Sequence, residues 1–260
     1  MMDTPLDTAH AAMASAANGD AARLQFYERF ADSELFLLLR TEPDNDRVEP
    51  EYFDTEDGRI VLVFDREERL STFTEQPSPY AATSGRAIVT MMAGQNIGIG
   101  LNFGVAPSSY LLPPEAVDWL ESTLAANPDE VGATPETMRP PADMPEQLLK
   151  GIDAKLAQAA GLASAAYLVG VTYEYGRRGH MLAIIDPLPG AEPTLARAIQ
   201  EALVFSGLEA GEIDVTFIRG ADPSAAILAK FGLRFDLPKL PDAEIPAPPG
   251  SDPNHPPKLR

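Results

Sequence analysis

The sequence predicts an α+β protein: two small mixed α/β domains joined by a proline-rich linker, with a disordered proline-rich tail behind them. Three observations lead there. Apolar residues recur at helical spacing in some stretches and as short, wholly apolar runs in others, the pattern of amphipathic helices packed on buried strands. The patterned stretches fall into two blocks. Five prolines from Pro128 to Pro145 separate the blocks and eight more run from Pro238 to Pro257, and such clusters interrupt helices and ladders because proline fixes φ and donates no hydrogen bond. The boundaries are then 1–126, a linker at 127–144, 145–238, and a polyproline-like tail at 239–260. With 260 residues, 45% of them apolar, the chain can bury a core in each block.

In the first block, residues 21–30 read as a helix and Leu35 to Leu39 as a buried strand. An acidic loop follows, then a second buried strand from Ile60 to Phe64. Asp65 with Glu68 three positions on has capping-box spacing for a helix whose inner face is Leu70 and Phe73. A helix at 84–92 leads into Ile97–Phe103, where alternation places Ile97, Ile99, Leu101 and Phe103 on one strand face. The chain returns as Tyr110-Leu111-Leu112. Pro113-Pro114 then opens a helix with Val117, Leu120 and Leu124 on one side, since a first turn tolerates proline.

The second block begins with a helix after Pro145 whose stripe is Leu148, Ile152, Leu156 and Ala159. Strands at 165–173 and 181–185 flank a polar hairpin tip, Gly176-Arg177-Arg178-Gly179. A helix from Pro193, an alternating strand through Ile213, Val215 and Phe217, and a last helix capped by Asp222-Pro223 complete the block. No repeat period is visible, which excludes a solenoid.

Charge and cysteine narrow the chemistry. The 39 acids against 20 bases give −19, which argues against binding a phosphate backbone or an anionic membrane surface. Residues 1–125 carry 21 acids and 8 bases, whereas 145–260 carry 14 and 11. Within the first block Glu42, Asp44, Asp46, Glu49, Glu51, Asp54, Glu56 and Asp57 face only Arg47. The absence of cysteine excludes disulfides, thiolate nucleophiles, iron–sulfur clusters and persulfide carriers. Apolar runs reach five residues where a membrane span needs about 20, and the acidic start of the chain lacks the features of a secretion signal. A cytoplasmic location is expected.

Motifs are few. Gly98-Ile99-Gly100 through Gly104 has G-x-G-x-x-x-G spacing inside a strand, so no helix N-terminus faces a pyrophosphate, and close strand packing is the ordinary reading. An EF-hand register from Asp44 places Glu49 where glycine belongs and Thr55 where the bidentate glutamate belongs, so no metal or cofactor is expected. The acidic stretch reads instead as solubilising surface or as a patch steering a basic protein partner. Arg177, Arg178 and His180, with Glu174 across the turn, form the one grouping resembling an anion or acid–base site.

Thr4-Pro5-Leu6, Arg23 to Tyr27, Ser33 to Phe36, Val61 to Phe73, Tyr80, the glycine-rich strand to Asn102, and Leu111 to Glu115 together resemble the N-terminal domain of the bacterial SseB (enhanced serine sensitivity) family, distinct from the type III secretion translocator of that name. The segment from Pro145 to about Leu237 is similar in order and length to that family's C-terminal domain. Where family members often read Phe-Thr-Ser, this chain has Phe64-Asp65-Arg66, with Asp65 keeping the cap. The resemblance implies a bacterial accessory protein connected with serine metabolism and brings no catalytic residues. The expectation is a non-enzymatic protein-binding or regulatory module with a protein partner of unknown identity and without nucleic acid. The alternative is a small-molecule enzyme or metabolite sensor using the basic hairpin tip.

Overall fold

A computed structural model describes residues 3–15, 19–43, 48–56, 58–126, 135–207 and 213–239. The tail from residue 240 and the first eight linker residues lie outside them. The order is α1 (Pro5–Ser15), α2 (Gly19–Asp32), β1 (Glu34–Leu38), β2 (Tyr52–Thr55), β3 (Gly58–Phe64), α3 (Glu67–Thr74), β4 (Tyr80–Ser84), α4 (Gly85–Met92), β5 (Ile97–Leu101), β6 (Tyr110–Leu112) and α5 (Pro114–Ala125). Then come β7 (Thr137–Arg139), α6 (Glu146–Gln158), β8 (Ala165–Thr172), β9 (Arg178–Ile185), α7 (Glu192–Phe205), β10 (Ile213–Ile218), α8 (Pro223–Phe231) and β11 (Leu233–Asp236). The α+β class holds. Among the described residues, no helix is long and apolar enough to cross a membrane.

The first unit is a mixed six-stranded sheet in the order β4-β1-β3-β5-β6, with β2 paired to β3. Only β3 and β5 run parallel; the other pairs are antiparallel. Both faces are covered, which is why β3 reads as a continuous apolar run. One face packs Leu35, Leu37, Val61, Val63, Ile99 and Leu101 with Phe26, Phe30 and Ile88 from the helices. The other packs Ile60, Leu62, Phe64 and Leu70 with the half-buried Phe36, Phe53, Phe73 and Phe103. The second unit orders its strands β10-β9-β8-β11, with β7 also paired to β8. Helices α6 and α7 cover one face through Leu148, Ile152, Leu195 and Ile199, and α8 covers the other through Leu228.

Four local expectations change. The acidic loop ends in strand β2, paired to β3 from Tyr52–Val61 to Thr55–Gly58. The segment 127–144, expected as linker throughout, contributes β7, whose Arg139 pairs with Gly170. Phe103 leaves the face of Ile99 and Leu101: the chain turns at Asn102 (φ 50°), and the Phe103 ring falls where a Cβ on Gly100 would stand, 2.4 Å from its Cε2. Asp65 caps nothing. The N-cap of α3 is Arg66, which makes no side-chain cap bond. The reciprocal box sits instead at Thr4 and Asp7, where the Asp7 N–H donates to Thr4 Oγ1 (3.1 Å) and the Thr4 N–H to Asp7 Oδ2 (2.9 Å), with Pro5 opening the helix between them.

One glycine sets the contact between α2 and α4. A Cβ on Gly85 would lie 2.0 Å from the Phe30 carbonyl oxygen, and the Gly85 N–H donates to the Ser33 carbonyl at 2.9 Å. A backbone oxygen cannot rotate away as a side chain can. Gly85→Ala should therefore destabilise by about 3 kcal/mol, the upper end of overpacking costs, measured as a fall in the urea midpoint at unchanged slope; a change below about 0.5 kcal/mol would show that the two helices slide freely.

Candidate functional site

Buried charge is concentrated at two places. The first ties down the N-terminal helix. Arg69 on α3 is almost fully buried and donates through Nη1 to Asp65 Oδ1 (2.8 Å) and through both terminal nitrogens to Asp7, Nη1 to Oδ1 (3.1 Å) and Nη2 to Oδ2 (2.5 Å). Ser108 Oγ also donates to Asp7 Oδ1 (2.6 Å), and Asn102 Nδ2 donates to Ser108 (2.9 Å). Thr4 Oγ1 donates to Asp65 Oδ2 (2.5 Å). Burial alone would raise the Asp7 carboxyl, but the hydrogen bonds from Arg69, Ser108 and the Thr4 backbone hold it well below the usual carboxylate range. Arg69 Nε is without a hydrogen-bond partner among the described residues.

The second cluster joins the two units. Arg86, the second residue of α4, lays its guanidinium bidentate on Glu201 of α7, Nη1 to Oε1 at 2.8 Å and Nη2 to Oε2 at 2.6 Å, and also donates to Asp32 Oδ1 from Nε (2.9 Å) and Nη2 (2.5 Å). Lys155 of α6 has three protons and three carboxylate acceptors: Asp32 Oδ2 at 2.7 Å, Glu201 Oε2 at 3.1 Å and Glu28 Oε1 at 3.1 Å. The Lys155 and Glu201 side chains are 5% and 4% exposed. Phe205, one turn beyond Glu201, completes the seam: it belongs to the first unit's core and meets Trp119 of α5 edge-to-face at 6.3 Å.

The electrostatics of this seam are asymmetric. Three carboxylates face two cations, and burial pushes the Glu28 carboxyl up despite Lys155. Burial works against ionised Asp32 too, but Lys155 and Arg86 prevail and hold it down. Lys155 is likewise raised, its desolvation outweighed by Glu28, Asp32 and Glu201. Above the cluster opens a cleft of about 530 Å³ between α1 and α2 on one side and α6 and α7 on the other. Glu28, Asp32, Lys155 and Phe205 are among its lining residues, while the small side chains of Ala12 and Ala154 keep its walls apart.

Residues 9–119 match the family model for the SseB protein N-terminal domain. That stretch is an SseB N-terminal domain. The match spans α1 to the middle of α5 and stops short of the second sheet. No curated protein and no solved structure matches the chain. The SseB domain supplies Glu28, Asp32 and Arg86 to the seam, and Lys155 and Glu201 reach it from beyond the match.

The residues singled out in the sequence lie away from the cleft. In the SseB domain Glu42, Glu49, Asp54 and Glu56 are exposed and Glu51 half-buried, while Asp44, Asp46 and Asp57 fall outside the described residues. Two of these acids are met locally, Asp54 by Arg59 (2.9 Å) and Glu49 by Arg40 (3.6 Å). At the basic tip, Arg177 packs over the Tyr173 ring (4.1 Å to its centroid) and lies 3.8 Å from Asp214. His180 donates from Nε2 to the Ala142 carbonyl at 3.0 Å, because a carbonyl can only accept. Tyr173 packs with Met181 and Ala183 on one sheet face; His180 shares the other with Leu182 and Ile184 by strand alternation. Arg177 and His180 therefore do not converge. Among the described residues no group of three His, Asp or Glu could hold a metal ion.

Sequence reasoning missed Lys155, Glu201 and Arg86, yet signals existed. Lys155 lies three residues from Ile152 and seven from Leu148, on the stripe of α6 that is buried. Glu28 and Asp32 are like charges at i, i+4, a destabilising pair unless a cation stands between them.

Lys155→Met should destabilise by about 3–5 kcal/mol, since it leaves three carboxylates of the seam to Arg86 alone and Glu28 with no cation, and adding Glu28→Gln should restore part of that loss; equal unfolding midpoints for wild type and Lys155→Met would deny the seam its role. The pH dependence has a sign. A carboxyl raised above its ordinary 4.5 contributes stability that is complete below that value and is lost as pH rises through the elevated one. The stability of wild type relative to Glu28→Gln should therefore fall as pH is raised above 4.5, read from denaturation curves at a series of pH values; a flat difference would place Glu28 in open solvent.

Proposed function

We propose that this chain is a non-enzymatic protein-binding and regulatory module, and that its partner engages the cleft between the two units. The observation that carries the reading is the cleft's floor. It is built jointly by the two units: its buried seam sets three carboxylates around two cations, so a basic side chain that passes Arg29 and Lys150 on the walls and reaches Glu28 meets charge of the opposite sign. The acidic first block supports the same direction of choice, because its long-range field draws a basic partner and repels an acidic one. A connection with amino-acid metabolism rests on the family's serine-sensitivity name alone.

Filling the cleft without touching the seam tests this. Ala154 is exposed and lines the cleft; Ala157, three residues on, is exposed on α6 outside the cleft lining. Affinity purification at native expression should recover a partner with wild type and Ala157→Trp and lose it with Ala154→Trp. Binding of the purified partner should weaken at least tenfold for Ala154→Trp, about 1.4 kcal/mol. Recovery of the same partner at the same level by Ala154→Trp would rule out the cleft as its site.

A further inference from the structure

We propose that the second unit carries an oxyanion site at the end of its sheet, formed by Arg139, Arg178 and His180 around a floor at Gly170, and that it takes a phosphate-sized anion. The site is independent of the cleft. It rests on strand register and on one close approach.

β7, β8 and β9 lie side by side, and the register places Arg139, Gly170 and His180 on one rung and Thr137, Thr172 and Arg178 on the next. Residues directly opposed across a ladder project to the same face, and so do residues two apart along a strand. All of these positions therefore share the face of Leu168 and Leu182. Gly170 has no side chain, and the Arg139 side chain occupies that space: a Cβ at 170 would meet its Cγ and Cζ at 3.0 Å and Nη1 at 3.1 Å. The guanidinium thus lies across β8, toward the strand that bears His180.

The polar groups are unspent. Neither Arg139 nor Arg178 makes an ion pair or side-chain hydrogen bond among the described residues. The Ala142 carbonyl takes the His180 Nε2 proton and leaves Nδ1 without a partner there. Glu136, Asp143 and Glu174 are the nearest acids in sequence, and none of them pairs with these cations among the described residues. Strand spacing puts the Arg139 and Arg178 Cα atoms about 7 Å apart along the strands and about 10 Å across them, spans that two long side chains close onto one ion. Two guanidinium forks with the Thr137 and Thr172 hydroxyls suit an anion whose oxygens point in several directions. The charge of −19 does not forbid this: ionic strength screens charges beyond about 8 Å, and residues 145–260 are close to balanced.

This assigns anion chemistry to Arg139 in place of Arg177, which is engaged with Asp214 and Tyr173 on the opposite face. The full chain titrated with inorganic phosphate at constant ionic strength should show saturable amide shifts by NMR at Arg139, Gly170 and His180. Arg178→Ala and Arg139→Gln should each weaken binding at least tenfold, and Arg177→Ala should leave it within twofold. Glycerol 3-phosphate in a parallel titration separates a free-ion site, which binds the ester more weakly, from one reading a phosphomonoester, which binds it as well or better. Either result supports the site. No saturable shift with either probe, or equal losses for Arg177→Ala and Arg178→Ala, would overturn it. Arg178 is exposed, so its variant keeps the test open should Arg139→Gln unfold.

Discussion

Five charged side chains in one largely buried seam constrain most of this molecule. Charges removed from water are tolerated only where each is paired and its hydrogen-bonding capacity is met. Glu28, Asp32, Arg86, Lys155 and Glu201 meet that demand only together, because Lys155 needs three acceptors and Arg86 needs carboxylates on two sides of its fork. Helices α2, α4, α6 and α7 must therefore come together at one point. Gly85 makes this possible by letting the start of α4 touch the end of α2, which sets Arg86 beside Asp32. Phe205 then closes the seam by entering the first unit's core.

The Arg69 cluster acts on the same cleft from behind. By gripping Asp7 and, through Asp65, Thr4, it fixes the first turn of α1 against α3 and the loop before β6. Helix α1 supplies Pro5, Thr8, Ala9 and Ala12 to the cleft wall. One ionic cluster thus sets the floor of the cleft and the other holds one of its sides. Both contain one more carboxylate than cation. In the Arg69 cluster hydrogen bonds from Thr4 and from Ser108, itself held by Asn102, spread the excess charge; in the seam the excess falls on Glu28, next to open space.

Periodicity made the framework legible. The stripes of α5, α6 and α7 and the apolar runs of β1, β3 and β8 need no tertiary information, because burial on one or both faces leaves a period in the sequence. The strands that escaped, β2, β4, β7 and β11, have five residues or fewer and lie at sheet margins, where pairing depends on a neighbour brought from elsewhere. Asp65 was misread for a related reason: its spacing to Glu68 satisfies a local rule, but Arg69 one turn on and Thr4 from the far end of the domain compete for the same carboxylate. Buried ion pairs are the least legible feature, since a charged residue on an apolar stripe looks like the edge of the stripe. Lys155 shows that the exception carries information when a like-charged pair elsewhere lacks its cation.

An ionic seam also differs from an apolar one in what it specifies. Replacing such a cluster with well-packed hydrophobic side chains is often neutral or stabilising, so strength alone does not account for five charges here. Direction does. Apolar surfaces can slide by fractions of a turn at small cost, whereas Lys155 finds its three acceptors in one register, and this fixes the spacing of α2 from α6 and with it the width of the cleft. Within that register Asp32 and Glu201 each meet both cations, whereas Glu28, at the edge of the cleft, meets Lys155 alone.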